Sequence, residues 1–148
     1  AVPHHILAPY IASSRDIGSQ WERGEVTVLE IGGEIAGAGV YYASAAEEGM
    51  GLPPHWASMR SLVVHPEARG QGFGQLLVEH FVERAGRDRR PTLALHTADY
   101  MEHAVRIYRK MGFLRCPEYD ILASSFLGAD PSGGDVLTTA YRLQLLRG

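Results

Sequence analysis

The chain reads as a single mixed α/β domain whose sheet is covered on both faces. Three observations predict this. Apolar residues alternate with period two in the first third and in the tail, and two central segments repeat with helical period. Glycine- or proline-rich turns separate them. The 148 residues make one domain, 1–148, without internal repeat or linker.

The segment EVTVLEIGGEIAGAGVYYAS predicts a hairpin. Thr27, Leu29 and Ile31 alternate with Val26, Val28 and Glu30, and Gly32-Gly33 supplies a two-residue turn. Gly37 and Gly39 share one face of the returning strand, a pattern that marks close approach by another backbone or a ligand. After the loop AAEEGMGLPPHW, ASMRSLVV predicts a third strand, halted at His65-Pro66. A helix is expected from Phe73 to Ala85, with Leu77, Val78, Phe81, Val82 and Ala85 on its apolar face. TLALHT predicts a short strand. YMEHAVRIYRKMGF predicts a second amphipathic helix, with Met101, Ala104, Val105, Tyr108 and Met111 inward and Gly112 as its C-terminal cap. ADPSGGD is a loop, and VLTTAYRLQLL alternates as a last strand.

Composition narrows the function classes. Net charge is −3, which implies no nucleic-acid partner. The one basic cluster, Arg84, Arg87, Arg89 and Arg90, falls where the first helix ends, and cations there favour the helix dipole. The longest uncharged stretch of the first half, IAGAGVYYASAA, is 12 residues, against about 20 for a membrane span. No signal peptide is read at the amino terminus. Cys116 is the only cysteine, so no internal disulfide or cysteine-based metal site is expected, and the histidines lack metal-ligand spacing. A cytoplasmic location fits.

HPEARGQGFGQLLVEH places Gly70, Gly72 and Gly74 where a helix begins, although glycine costs a helix about 1 kcal/mol relative to alanine. A tight turn needing positive φ is one reading. A phosphate cradle of bare amides at a helix N-terminus is another. The dinucleotide fingerprint fits poorly because the spacing is G-x-G-x-G, and no P-loop lysine follows.

Taken with LVV before it and AVRIYRKMGF after it, this stretch closely resembles the GNAT superfamily of acetyl-coenzyme A-dependent N-acetyltransferases. The family's Arg/Gln-x-x-Gly-x-Gly/Ala signature stands as Arg69, Gly70, Gln71, Gly72, Phe73 and Gly74. Its Ala-x-x-x-Tyr followed by Gly-Phe stands as Ala104, Tyr108, Gly112 and Phe113. The resemblance runs from about Gly24 to the C-terminus. It implies the GNAT fold, a mixed, mostly antiparallel central sheet flanked by helices. It also implies acetyl-coenzyme A as co-substrate, without a metal: the pyrophosphate on the amides of Gly70 to Gln75, and the pantetheine arm along the backbone of Leu62, Val63 and Val64. Val64 N–H would be the oxyanion donor. The implied acceptor is a small-molecule or peptide amine, and a homodimer is left open.

Tyr108 matches the family's general acid, since a phenol can protonate a departing thiolate. His96 falls where several members carry a general-base glutamate. It is read either as a base or as a histidine fixed by hydrogen bonds at a strand end. A rim of Glu47, Glu48, Asp99, Glu118 and Asp120 would favour a cationic amine. Three departures from the family are visible. Met101 stands where many members have asparagine, and ASMRSLVV lacks the acidic residue of some relatives. The amino-terminal strand and first helix are expected to be shortened, with only the second helix expected in IASSRDIGSQWERG. A coenzyme A-binding sensor without turnover is the alternative function.

Overall fold

The computed structural model describes residues 10–14, 24–98, 102–122 and 137–145. One sheet contains eight strands: β1 (Tyr10–Ser14), β2 (Glu25–Ile31), β3 (Glu34–Tyr42), β4 (Ala57–Val64), β5 (Thr92–Ala98), β6 (Leu114–Arg115), β7 (Ile121–Leu122) and β8 (Leu137–Gln144). Their order is β1-β2-β3-β4-β5-β8-β6, with β7 also on β8. Every pairing is antiparallel except β4 with β5. Two α-helices, α1 (Phe73–Arg87) and α2 (Glu102–Lys110), complete the described architecture.

The hairpin forms as its sequence requires. Gly32 and Gly33 turn it with φ of 61° and 84°, and β2 buries Thr27, Leu29 and Ile31 on alternate positions. The N-terminus departs from expectation. Ile11–Ser14, expected in a helix, belong to β1, which pairs with β2 from Tyr10 opposite Glu30 to Ser14 opposite Val26. Pairing there satisfies an edge that β2 would otherwise leave open. The rest of the expected helix, residues 15–23, lies outside the described residues, as does the 129–135 loop.

Helices α1 and α2 cover one face. Met59, Leu93 and Leu95 from the sheet pack there with Val78, Phe81, Ala85, Tyr108 and Phe113. On the other face, Ala94 packs with Ala45, Leu52 and Trp56 of the β3–β4 loop, and Tyr119 joins them from the Pro117–Tyr119 turn. The Trp56 and Tyr119 rings meet edge-on at 5.2 Å. Helix α2 ends in a Schellman arrangement: Phe113 N–H donates to the Tyr108 carbonyl at 2.9 Å, with Gly112 at φ 98°.

The strand glycines serve packing. A Cβ on Gly39 would lie 2.8 Å from Phe81 Cε2, and one on Gly37 would lie 2.9 Å from the Val63 carbonyl oxygen. A Cβ on Gly37 would also lie 3.0 Å from Leu77 Cδ1 of α1, so both glycines let α1 sit close against β3. Of the basic cluster at the end of α1, Arg84 is structural: it pairs with Glu25 and Asp88 and lies 5.2 Å over the Tyr41 ring.

These contacts predict opposite outcomes for two alanine substitutions. Gly39→Ala forces the wholly buried Phe81 ring to move and should cost about 1–3 kcal/mol. Gly86→Ala, where a Cβ meets nothing within 4 Å on an exposed stretch of α1, should stabilise by about 0.5–1 kcal/mol. Denaturant midpoints of the two variants check both signs.

Candidate active site

Strands β4 and β5 are neighbours for only three residues: Ala57 faces Leu93, Ser58 faces Ala94 and Met59 faces Leu95. Beyond that point β5 stays with β8 as far as Ala98, while β4 follows β3 to Val64. A gap opens between the two strands.

The divergence coincides with a bulge. Ala38 faces Val63 and Val40 faces Arg60, so Ser61 and Leu62 both lie opposite Gly39. Ser61 absorbs the extra residue at φ 56°, a left-handed conformation that costs a residue with a Cβ about 1–2 kcal/mol. An inserted residue inverts which face later side chains occupy. Met59 meets the helices before the bulge, Leu62 and Val64 meet them after it, and Val63 is turned out, 58% exposed.

The bulge also fixes which backbone groups enter the gap. His65 N–H donates to the Ala36 carbonyl at 2.7 Å, towards β3. Main-chain groups alternate direction along a strand, so those of Val63 also face β3, while those of Leu62 and Val64 face the gap. Arg69 Nε reaches the Val64 carbonyl at 3.4 Å. The resemblance implies one role for the backbone of Leu62, Val63 and Val64; in the register, Leu62 and Val64 face the gap and Val63 faces β3.

At the far end of the gap the chain makes a short turn, Pro66–Ala68, capped by His65 Nδ1, which accepts from Glu67 N–H at 3.1 Å. Gly70 and Gly72 follow at φ 81° and 82°, and a Cβ on either would meet nothing within 4 Å. Gly72 is the N-cap of α1 and provides no side-chain cap. The Gly74 and Gln75 amides lie in the first turn, where no carbonyl of the same helix can accept from them. Gly74 has a different reason to be bare: its Cβ would lie 3.2 Å from Ile107 Cδ1 of α2. Two glycines thus shape an open loop of amides, and the third lets the helices approach. Phe73 packs inward with Leu29, Ile31 and Leu77.

Tyr108 and His96 lie on opposite faces of the sheet. Tyr108 is buried among the helices with its ring 5.7 Å from Phe113, and burial pushes its phenol up to about 12. His96 follows Ala94 on the loop-covered face, where Nε2 lies 2.8 Å from the Tyr119 carbonyl. A carbonyl only accepts, so Nε2 carries the proton and Nδ1 a lone pair. Nδ1 is buried without a partner. Burial holds the imidazole below its ordinary range, opposed by the Tyr119 carbonyl and by Asp120, so the ring is neutral at pH 7.

The acidic rim is less uniform than its sequence implies. Asp120 is held by Arg115 at 2.6 and 2.8 Å and accepts from Ala140 N–H at 2.8 Å, and the Arg115 guanidinium keeps its carboxyl below the ordinary range. Glu47 and Glu118 are exposed. Asp99, Tyr100 and Met101 lie outside the described residues. Glu48 is turned inward beside Ser58 and Arg60, a grouping the sequence reading missed. Its one sequence signal, the same-face spacing of Ser58 and Arg60, is hidden in an ordinary strand pattern.

A model of the acetyltransferase (GNAT) family matches residues 5–113. The chain belongs to this family. Among GNAT proteins, the peptidyl-lysine N-acetyltransferase YjaB of Salmonella typhimurium is 40% identical over 55 residues, which are 37% of this chain and 34% of that protein. The aligned region is therefore about a third of that relative's length. A Bacillus subtilis acetyltransferase solved in complex with CoA superposes with a TM-score of 0.72 at 19% identity, covering 94% of this chain and all of that one. A GNAT acetyltransferase of Elizabethkingia anophelis with acetyl-CoA bound gives 0.69 at 15% identity, covering 93% and 98%. These likenesses establish the GNAT fold. Among the described residues no helix is long and apolar enough to cross a membrane.

The environment of His96 predicts its titration. Its ring protons should report a midpoint below the ordinary value of about 6.5, because burial outweighs the two opposing groups. Asp120→Asn removes one of those opposing groups and should move the midpoint lower still. Proton NMR between pH 4 and 8 measures both, and an upward move in the variant would contradict the assigned balance.

Proposed function

We propose that this chain is an N-acetyltransferase that passes the acetyl group of acetyl-coenzyme A directly to a primary amine of a small molecule or peptide. The observation that carries this reading is a continuous one: a gap between β4 and β5 leads to an open loop of amides at the start of α1. A diphosphate suits the loop, because the first-turn amides of Gly74 and Gln75 have no acceptor in their own helix and the helix dipole adds positive potential there. Arg69 stands beside it. The pantetheine amides would complete the bonds that Leu62 and Val64 offer to the gap, with the exposed Val63 side chain giving apolar contact.

This arrangement brings the thioester to where the strands separate. Val64 N–H would stabilise the oxyanion that forms when the amine attacks the acetyl carbon. His96 Nδ1 is the proton acceptor, because its lone pair is unpartnered and the ring is neutral at working pH. Tyr108 is the proton donor to the departing sulfur. Its raised pKa keeps it protonated, and the burial that raises the phenol also raises a thiol released in the same slot. The lone buried Cys116 has its thiol pushed up by burial, which disfavours an acetyl-cysteine intermediate.

The test is thiol release from acetyl-coenzyme A with polyamines, amino acids, aminoglycosides and short peptides as acceptors. Amine-dependent release should fall at least tenfold in Tyr108→Phe. Gly72→Ala, which forces a Cβ into a left-handed position, should raise the acetyl-coenzyme A KM at least tenfold. Thermal stabilisation by acetyl-coenzyme A without any release would favour the sensor, and the absence of both effects would overturn the assignment.

A further inference from the structure

Among the described residues, four buried side-chain polar atoms have no hydrogen-bond partner: Glu48 Oε1, Ser58 Oγ, His96 Nδ1 and Arg90 Nε. Leaving such a group unpaired costs about 1–3 kcal/mol, so each needs a reason. Three of the four lie on the loop-covered face at the point where β4 and β5 separate. Ser58 and Ala94 are lateral neighbours in the last stretch of pairing, and His96 is the next residue after Ala94 on the same face. Glu48 comes from the loop above them.

That loop is firmly built. Ala45 N–H donates to the Trp56 carbonyl at 2.7 Å, Ser44 Oγ to the Pro54 carbonyl at 2.8 Å, and Glu48 N–H to the Ala45 carbonyl at 3.1 Å. Glu48 is partly accessible as a residue, while Oε1 is turned inward. Three groups face it: Ser58 and Arg60 from β4, and Tyr42 from β3. The Tyr42 phenol bonds Arg60 and is itself raised, chiefly by burial. Burial pushes the Glu48 carboxyl up to about 7, against the opposing pull of Ser58 and Arg60.

We propose that Glu48 is a second proton acceptor of the active site, which takes the first proton from the acceptor's ammonium and delivers a free amine to the thioester. The proposal rests on the acetyltransferase reading above. A primary ammonium has to lose two protons, and one base on this face accounts for only one of them. In the first step R–NH3+ gives a proton to the Glu48 carboxylate and becomes R–NH2. Its lone pair then forms the C–N bond and the C–S bond breaks. The second nitrogen proton goes to His96 Nδ1, and the sulfur electron pair takes the Tyr108 proton. Loss of the His96 and Glu48 protons to solvent and reprotonation of Tyr108 from solvent leave the acetamide, CoA–SH and, in net, one proton.

The deciding experiment compares wild type with Glu48→Gln across pH 6 to 10, alongside a carbon-13 titration of the glutamate carboxyls. In wild type, kcat should rise through an acidic limb near pH 7, and the Glu48 resonance should titrate there without any substrate. Glu48→Gln should lose at least tenfold in kcat at pH 7 and recover towards pH 10, where solution supplies free amine, with the acetyl-coenzyme A KM within twofold of wild type. Folding is protected, because a carboxyl whose pKa is raised by folding weakens the fold as pH rises through that pKa. The uncharged variant should therefore melt higher than wild type above pH 7. A Glu48→Gln profile that keeps its acidic limb and its kcat within twofold overturns the proposal alone, as does a Glu48 resonance titrating in the ordinary glutamate range. Wild type without turnover on any amine removes the acetyltransferase reading itself, and this proposal with it.

Discussion

The three-residue parallel ladder between Ala57–Met59 and Leu93–Leu95 holds the two halves of the sheet together. On one side stand β1 to β4, on the other β5 to β8, and each half is internally antiparallel. So short a ladder would be a weak seam by itself. Helix α1 crosses it: Phe81 and Val78 pack in one cluster with Met59 of β4 and Leu93 and Leu95 of β5. Gly37 and Gly39 let that helix lie close enough to β3 to act as a clamp. The gap beyond the seam is thus braced from one face, and it need not close for the core to be complete.

An open seam leaves main-chain donors and acceptors that the fold does not pair, and such groups demand a partner. The unpaired and strained features are concentrated there. Ser61 sits at positive φ in the strand that borders the gap, Gly70 and Gly72 hold left-handed turns at its end, and three orphaned side-chain atoms gather at its start. Among the described residues, the other such features, Arg89 at φ 57° and the unpartnered Arg90 Nε, sit together just after α1. Departures of this kind persist where binding or chemistry supplies the missing interactions.

Much of this was legible in the residues because the signals are local. Gly32-Gly33 dictates its turn, apolar spacing dictates α1, and Gly112 dictates the end of α2 whatever lies around them. The glycine loop and the Tyr108 segment carried the family resemblance for the same reason. What was not legible depends on contacts distant in sequence. The partner of β1 lies well downstream, with Ile11 opposite Leu29 and Ser14 opposite Val26, so Ile11–Ser14 had no local mark of a strand. Gly37, Gly39 and Gly74 are bare because of side chains on other elements. The opposite orientations of Val63 and Val64 follow from one inserted residue, which no alternation pattern announces. Glu48 reads as one member of an acidic rim until the Ala45–Trp56 hydrogen bond folds its loop over Ser58.

The sheet itself separates the two kinds of proton chemistry in the proposed reaction. Side chains at successive positions of a strand face opposite ways, so Leu95 and His96 of β5 point into different environments. The helix-covered face is apolar and holds Tyr108, a donor that burial keeps protonated. The loop-covered face is polar and holds the acceptors His96 and Glu48. Had donor and acceptors shared one face, a proton could pass between them without any bond to carbon changing. With the seam between them, the path from nitrogen to sulfur runs through the substrate in the gap. In that reaction the same divergence that would admit a pantetheine arm would also keep the proposed acid and bases apart until a thioester joins them.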